Sequence, residues 1–212
     1  IPANYSLTVS NSFYGNLQIT PNENYAYLTV TSGVTSENAL KSNAYTQSVK
    51  LFRFDLSAST PSIDLIADYD STNFTAILGF KALNNGNIVM ARMESSTNSE
   101  ALSDGYLRIL EYWTFAQSNG QLSKSVSTVD YIVTPAGGSR NLNFNCFLEY
   151  GASDDDAMLA MYGSTAGYRS TLWRIPKPST PTATTTPIRL TSEGASRLCW
   201  GSYPFYHGGK VY

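Results

Sequence analysis

The single histidine, His207, would have to take part in any nucleophilic site of the Ser-His-Asp or Cys-His type. It lies in Tyr206-His-Gly-Gly-Lys210, near the end of the chain. One histidine with the two distant cysteines cannot supply the three or four nitrogen and sulfur ligands of a zinc site. Gly208-Gly-Lys210 also lacks the upstream glycine of a phosphate-binding loop. We therefore interpret His207 as a loop or surface residue and predict no catalytic residue and no cofactor.

Three adjacent carboxylates form the other group that could do chemistry, because calcium prefers clustered oxygen ligands. No EF-hand spacing surrounds them, and adjacent carboxylates on a turn commonly form a solvated hairpin tip. We predict no metal site and keep these residues as the candidate ligands: Asp154, Asp155 and Asp156.

Covalent modification is the remaining chemistry that the sequence suggests. Cys146 and Cys199 are the only cysteines, and two cysteines in a secreted chain suggest one disulfide, with two buried free thiols as the alternative. Asn4-Tyr-Ser6 and Asn73-Phe-Thr75 match the N-glycosylation pattern, which makes Asn4 and Asn73 candidate sites. Such tripeptides also arise by chance in a chain rich in Asn, Ser and Thr.

The segment 176–187 is rich in Ser, Thr and Pro, and its prolines favour an extended, solvated backbone. It resembles a mucin-like O-glycosylation tract, and a plain polar loop between strands is the alternative. Its candidate hydroxyl groups are those of Ser179, Thr180, Thr182, Thr184, Thr185 and Thr186.

The composition favours a secreted or cell-surface protein. Charged residues make up 14% of the chain, well below the roughly 25% of an ordinary domain. Ser, Thr, Asn and 15 Tyr take their place, and Thr and Tyr fit a pleated sheet surface well. The net charge of -2 and the lack of a basic run exclude the electrostatic footprint of nucleic-acid binding. No apolar run approaches the ~18 residues of a membrane span. The start at Ile-Pro-Ala-Asn suggests a mature or cleaved product.

Alternating apolar and polar residues predict β-strands throughout, whereas helical spacing is nearly absent. Short clusters rich in Asn, Gly and Pro separate the strands, a pattern typical of antiparallel strands joined by tight turns. The segment 49–56 is dense in apolar residues and predicts a strand that is buried on both faces.

One order of four strands occurs three times, with a spacing of roughly 60 to 65 residues. The first repeat covers 16–20, 25–31, 49–55 and 62–66; the second 75–80, 87–92, 106–112 and 125–129; the third 142–147, 157–162, 168–174 and 187–190.

The first hairpin, Ile19-Thr-Pro-Asn-Glu-Asn-Tyr-Ala-Tyr-Leu-Thr-Val30, resembles that of the YVTN-type and WD40-like β-propeller repeat families. The Gly-His and Trp-Asp signature of true WD40 proteins is missing. The resemblance implies that 1–212 is a single all-β domain or a propeller fragment, with about three four-stranded blades and partial ones at 4–10 and 196–201. A β-sandwich or jelly roll is the alternative.

A propeller would also give roles to acidic and aromatic residues. Propeller glycosidases pair carboxylates across a central pore, and the candidate acids here are Glu94, Glu111 and Glu149. The largest side chains that could stack on sugars are those of Trp113, Trp173 and Trp200. The favoured interpretation is that Trp113 and Trp173 pack between blades.

Three blades fall short of the four to eight that close a ring, so strand edges would remain unpaired and invite another chain. We therefore expect an extracellular structural or interaction protein without catalysis. It would associate with copies of itself or with another chain through strand edges, in an assembly that could be a filament. The alternatives are a carbohydrate-binding, lectin-like module and a fragment of a propeller glycoside hydrolase.

Overall fold

The structure, a computed structural model, describes residues 12–20, 22–32, 48–69, 75–95, 106–129, 146–150, 156–161, 171–190, 206–207 and 210–211. Over these residues the only regular elements are β-strands, which confirms the predicted all-β class. The predicted partial blades at 4–10 and 196–201 lie outside the described residues, as do Asn4, Asn73, Asp154, Asp155, Cys199 and Trp200.

Within the described residues the strands form three four-stranded antiparallel sheets and one short hairpin. Sheet 1 contains β1 (Ser12–Ile19), β2 (Tyr25–Ser32), β3 (Ser48–Asp55) and β4 (Ser62–Tyr69). Sheet 2 contains β5 (Thr75–Ala82), β6 (Ile88–Ser95), β7 (Tyr106–Ser118) and β8 (Gln121–Thr128). Sheet 3 contains β9 (Cys146–Tyr150), β10 (Ala157–Met161), β11 (Thr171–Ile175) and β12 (Ile188–Arg189), and the hairpin contains β13 (Tyr206–His207) and β14 (Lys210–Val211).

In each of the three sheets the strands lie side by side in chain order, so the predicted repeat of four strands is confirmed. This order is expected, because strands usually pair with the next strand along the chain. Within the described residues the three sheets do not close into a ring.

Sheet 2 lies between the other two sheets and is buried on both faces. On β6, Ile88 and Met90 belong to the core shared with sheet 1, whereas Val89 and Ala91 belong to the core shared with sheet 3. The core between sheets 1 and 2 contains Tyr27, Leu51, Ile66, Ala67, Phe80, Ala82, Ile88, Met90 and Trp113. The core between sheets 2 and 3 contains Leu83, Val89, Ala91, Leu110, Tyr112, Val129, Ala157, Trp173 and Ile175.

Strand β3 is buried on both faces, as its dense apolar pattern predicted. Leu51 lies in the core between sheets 1 and 2, and Phe52, which points to the opposite face, is buried too. The pairing of β3 with β4 shifts register between Leu51 and Phe52.

Side-chain hydrogen bonds join sheet 1 to sheet 2 near their first hairpins. Gln18 pairs with the backbone of β5: its Nε2 donates to the Phe80 carbonyl, and its Oε1 accepts from the Ala82 amide at 3.0 Å. In the adjoining turns, Asn22 Nδ2 donates to the Asn84 carbonyl at 2.7 Å. These bonds satisfy polar groups at the sheet junction and fix where sheet 2 sits on sheet 1.

The turn before β6 requires a glycine at position 86, and replacing it tests the junction. Gly86 has φ +82, and an added Cβ would lie 2.8 Å from Cε2 of Tyr25, whose ring is held under Arg53. We expect Gly86→Ala to lower the free energy of unfolding by about 2–4 kcal/mol, from left-handed strain plus overlap.

Gly120→Ala is the matched control, because Gly120 also has positive φ, +72, but no atom lies within 4 Å of an added Cβ. It should cost only the backbone strain, about 1–2 kcal/mol. Urea denaturation of both variants measures the difference. Equal losses for the two glycines would mean that Tyr25 does not confine the turn.

The segment 176–187 is largely exposed but is anchored at one end. The amide of Thr185 donates to the Thr128 carbonyl at 3.0 Å, and Thr185 forms a parallel bridge with Val129. The segment therefore joins β11 to β12 as a loop that is docked on sheet 2, whereas the sequence predicted a solvated loop or linker.

Candidate functional site

One face of sheet 1 carries two rows of apolar residues that run across all four strands. The cross-strand register aligns Leu17, Leu28, Phe52 and Leu65 in one row. The second row, two pairs nearer the β1–β2 turn, contains Ile19, Ala26, Phe54 and Ile63. We call these eight residues the open face of sheet 1.

The open face exposes large apolar side chains to solvent. Leu17 is 61% exposed, Ile19 52% and Leu65 39%. None of the eight residues belongs to either core cluster that the described residues form, although Ala26 and Phe52, on the two middle strands, are buried. A sheet face that is in contact with water normally carries polar residues, so this composition is typical of a surface that packs against another element.

Sheet 2 shows how a face of this kind packs within the chain. Its equivalent row is Ala82, Ile88, Trp113 and Val126, aligned by the same cross-strand register. This row packs against sheet 1. Apolar rows at these positions are therefore the contact surface between neighbouring sheets of this chain.

Sheet 3 exposes apolar residues on the opposite side of the stack. Ile188 is 43% exposed and Leu190 is 47% exposed. Ile188 pairs with Arg174, and so lies on the face opposite to Trp173, which is packed against sheet 2. Four of the six large apolar side chains that are exposed among the described residues thus lie on the two outward faces of the stack: Leu17, Ile19, Leu65 and Ile188. Leu190 follows the end of β12.

A buried ion pair lies on the side of sheet 2 that meets sheet 1. Arg92 donates from Nε at 3.0 Å and from Nη2 at 2.8 Å to Oε1 of Glu111. The other oxygen, Oε2, accepts from the indole N–H of Trp113 at 2.9 Å, and Arg92 Nη1 pairs with Glu94. Burial alone would lower the pKa of Arg92, but the hydrogen bonds and charges of Glu111 and Glu94 outweigh it and raise that pKa.

Lys124 links this cluster to sheet 1. Its Nζ lies 4.3 Å from the centre of the Trp113 ring and donates to the Ile66 carbonyl at 2.7 Å. Burial lowers the pKa of Lys124, with the charge of Glu111 acting in the opposite direction. Burial, together with the charge of Glu111, raises the pKa of Tyr69 to about 12.

A second buried cation, Arg53, lies at the same sheet junction. Its guanidinium carbon is 4.4 Å from the centre of the Tyr25 ring and 5.3 Å from that of Phe115. Burial raises the pKa of the neighbouring Tyr27 to about 12, although the charge of Arg53 opposes the shift. The hydroxyl of Tyr27 donates to the Gly86 carbonyl. Contact with two ring faces offers this buried charge a cation–π environment between the sheets.

The candidate carboxylates for glycosidase chemistry do not form the pair that this chemistry needs. Glu94 and Glu111 both bind the guanidinium group of Arg92. Glycosidase carboxylates instead flank a gap that admits a sugar. Glu149 is described only as a position in β9. We interpret the Arg92–Glu111 pair as a structural part of the sheet junction.

Trp113 and Trp173 lie in the third strands of their sheets and are buried between neighbouring sheets, in agreement with the favoured sequence interpretation. Their rings are therefore not exposed platforms for a sugar. Asp156, the described member of the acidic triplet, forms an ion pair of 3.3 Å with Arg174. No group of three or more His, Cys, Asp or Glu residues that could hold a metal occurs among the described residues.

The modification sites stay predictions. Cys146 occupies the first position of β9 and His207 the end of β13, and their side chains are not described. Within the Ser/Thr-rich segment Thr185 is buried, with its hydroxyl enclosed. The exposed candidate residues for O-glycosylation are Ser179, Thr180, Thr182, Thr184 and Thr186.

Comparison of the chain with protein-family models, curated proteins and solved structures found no match. Over the described residues there is no helix of the length and apolarity that crossing a membrane requires. The outward sheet faces, with their exposed apolar side chains, are the features that bear on function.

Proposed function

We propose that this chain is an extracellular structural or interaction protein that assembles with further copies of itself or with another chain through the outward faces of its sheets. The observation that carries the proposal is the open face of sheet 1, where Leu17, Ile19 and Leu65 are exposed. The sequence suggested strand edges as the contact, whereas these apolar rows favour a sheet face.

The stacking of the sheets supports this proposal. Sheet 2 is stabilised from both sides, by sheet 1 and by sheet 3. Burial of an apolar surface contributes roughly 25 cal/mol per Å², so an outward sheet with the same apolar rows gains free energy from a further sheet.

For the fold, we propose that the three sheets are arranged like the blades of a β-propeller. The support is that each sheet has four antiparallel strands in chain order and packs by its face against the next sheet. Propellers are closed by about four to eight such blades. Three sheets in this chain would then need further sheets, and assembly is one source of them.

The extracellular location is supported by the composition, with 14% charged residues and 15 Tyr. Because charged residues are few, the polar surface must consist mainly of Ser, Thr, Asn and Tyr, a composition that favours a secreted protein. The Ser/Thr-rich segment adds exposed hydroxyl groups that are available for glycosylation.

Charge placed on the open face tests the proposed function. We expect the unsubstituted chain to form particles larger than one copy, and Leu17→Asp or Leu65→Asp to weaken association at least about tenfold, because burying an unpaired carboxylate in the contact costs more than the ~1.4 kcal/mol that a factor of ten represents. Size-exclusion chromatography with light scattering, over a range of concentrations, measures the association.

Leu56→Asp is the matched control, since Leu56 is 40% exposed but lies beyond the end of β3, outside the two apolar rows. It should associate like the unsubstituted chain. A monodisperse single copy at all concentrations, seen also by electron microscopy, would refute the proposed function.

A further inference from the structure

We propose that Asn119, at the tip of the β7–β8 hairpin, is a site of spontaneous deamidation in the folded chain. The sequence contains two Asn-Gly dipeptides, Asn85–Gly86 and Asn119–Gly120. They have the same local chemistry, but the structure holds them in different ways. The second dipeptide is open to the reaction, whereas the first is protected by its surroundings. The proposal does not depend on the proposed function.

The reaction needs only the chain and water. The backbone nitrogen of Gly120 attacks Cγ of Asn119, so that a new C–N bond forms and the C–N bond of the carboxamide breaks. Ammonia leaves with the proton that the Gly120 amide gives up. Water then opens the cyclic imide at either carbonyl, which yields aspartate or isoaspartate. Glycine favours the attack because it has no Cβ to hinder the approach and allows the backbone to turn.

The hairpin tip leaves the reacting groups of the second dipeptide accessible. Ser118 and Gln121 are the last pair between β7 and β8, so Asn119 and Gly120 form a two-residue loop. Their φ values of 52 and 72 fit a type I′ turn. Among the described residues the Gly120 amide has no backbone acceptor. Both loop residues are exposed, so the attacking nitrogen is free and water can reach the imide.

The same tip is held by few contacts. Beyond Trp113, strand β7 pairs with β8 alone among the described strands. No atom lies within 4 Å of a Cβ added at Gly120. Local fluctuations concentrate at exposed loop tips of this kind. Asn119 can therefore reach the backbone geometry that ring closure requires without disturbing either core.

The first dipeptide is held by hydrogen bonds on every side. The Gly86 amide, which would have to attack, donates to the Leu83 carbonyl at 2.8 Å, and the Gly86 carbonyl accepts from the Tyr27 hydroxyl. The side-chain oxygen of Asn85 accepts from the Asn87 amide at 2.9 Å. Gly86 is also buried. Ring closure at Asn85 would have to break these bonds at the junction of sheets 1 and 2.

Deamidation would change both the charge and the geometry of the hairpin. Either product adds a negative charge to a chain whose formal net charge is -2. Isoaspartate also lengthens the backbone of the loop by one atom. Because loop length selects the turn type in a hairpin, the Ser118–Gln121 pair would lose its present geometry. Anion-exchange chromatography should therefore resolve the modified chain from the original one.

Peptide mapping of the folded chain tests the proposal. The chain is incubated at mildly alkaline pH, where the attacking amide loses its proton more readily, and is shown to be folded by circular dichroism. Trypsin then releases the two dipeptides separately, in peptides 82–92 and 109–124. Mass spectrometry follows the conversion of amide to acid. We expect Asn119 to react at least severalfold faster than Asn85.

The chain unfolded in guanidinium chloride is the matched control, because it keeps both dipeptides and removes the structure around them. There the two sites should react at similar rates. Asn119→Gln should abolish the reaction at the hairpin and leave that at Asn85 unchanged. Equal rates at the two sites of the folded chain, or a faster reaction at Asn85, would overturn the proposal. So would a folded chain in which neither site reacts while both react after unfolding.

Discussion

Replacing Glu111 by alanine is expected to lower the free energy of unfolding by about 3–5 kcal/mol, which is the range for removing one partner of a buried ion pair. Arg92 and Glu111 are both largely enclosed, with side chains 15% and 8% exposed. Without Glu111 the Arg92 guanidinium keeps Glu94 as its one ion-pair partner among the described residues, and the Trp113 indole N–H loses its acceptor. Urea denaturation followed by circular dichroism measures the loss.

Glu94→Ala is the matched control for this prediction. Glu94 binds the same guanidinium, but its side chain is 35% exposed, and water can replace its contact. A half-exposed pair contributes about 0–1 kcal/mol. Similar losses for Glu94→Ala and Glu111→Ala would contradict the assignment of Glu111 as the buried anchor of the cluster.

The strands could be predicted from the sequence because alternation is a local property. Tyr25 to Thr31 alternates within one segment, and the structure places β2 at Tyr25–Ser32. The end of β7 was predicted less well, since that strand continues to Ser118 rather than stopping at Tyr112. After Trp113 the strand continues beyond β6 and pairs with β8 alone among the described strands. This part of β7 is therefore less buried, and its sequence pattern is weaker.

The polar cluster could not be predicted, because its members come together only through strand register. Glu111 was considered as a catalytic acid, and nothing in the local sequence indicates that Arg92, 19 residues away, binds it. The pairing of β6 with β7 places the two side chains on one face. A one-residue slip would reverse every side chain of β6 between the two faces.

The open face shows the same limit of sequence reasoning. The alternation in β1 predicts that Leu17 and Ile19 share a face, and they do. It does not specify whether that face meets the core or solvent. In sheet 1 the residues that meet sheet 2 include Tyr27 and the cation Arg53, whereas an apolar row faces outward. Sheets that are packed on both faces need apolar residues on both sides, so composition alone does not indicate which face of sheet 1 meets sheet 2.

Trp113→Ala is expected to lower the free energy of unfolding by about 3–5 kcal/mol, the range for truncating a large buried aromatic side chain. Trp113 is 1% exposed and lies in the core between sheets 1 and 2. The truncation leaves a cavity at this junction, removes the N–H donor to Glu111, and takes away the ring under Lys124. Thermal and urea denaturation, followed by circular dichroism, measure the change.

Trp113→Phe separates the two contributions, because a phenyl ring fills part of the cavity but cannot donate to Glu111. We expect it to lose less, about 1–3 kcal/mol, mainly from the unsatisfied buried carboxylate oxygen. Leu65→Ala on the open face is the surface control and should stay within about 0.5 kcal/mol when measured on dilute single copies. A loss below about 1 kcal/mol for Trp113→Ala would mean that sheets 1 and 2 are stable without this contact. The stacking that makes the open face a site for a further sheet would then lose its energetic basis.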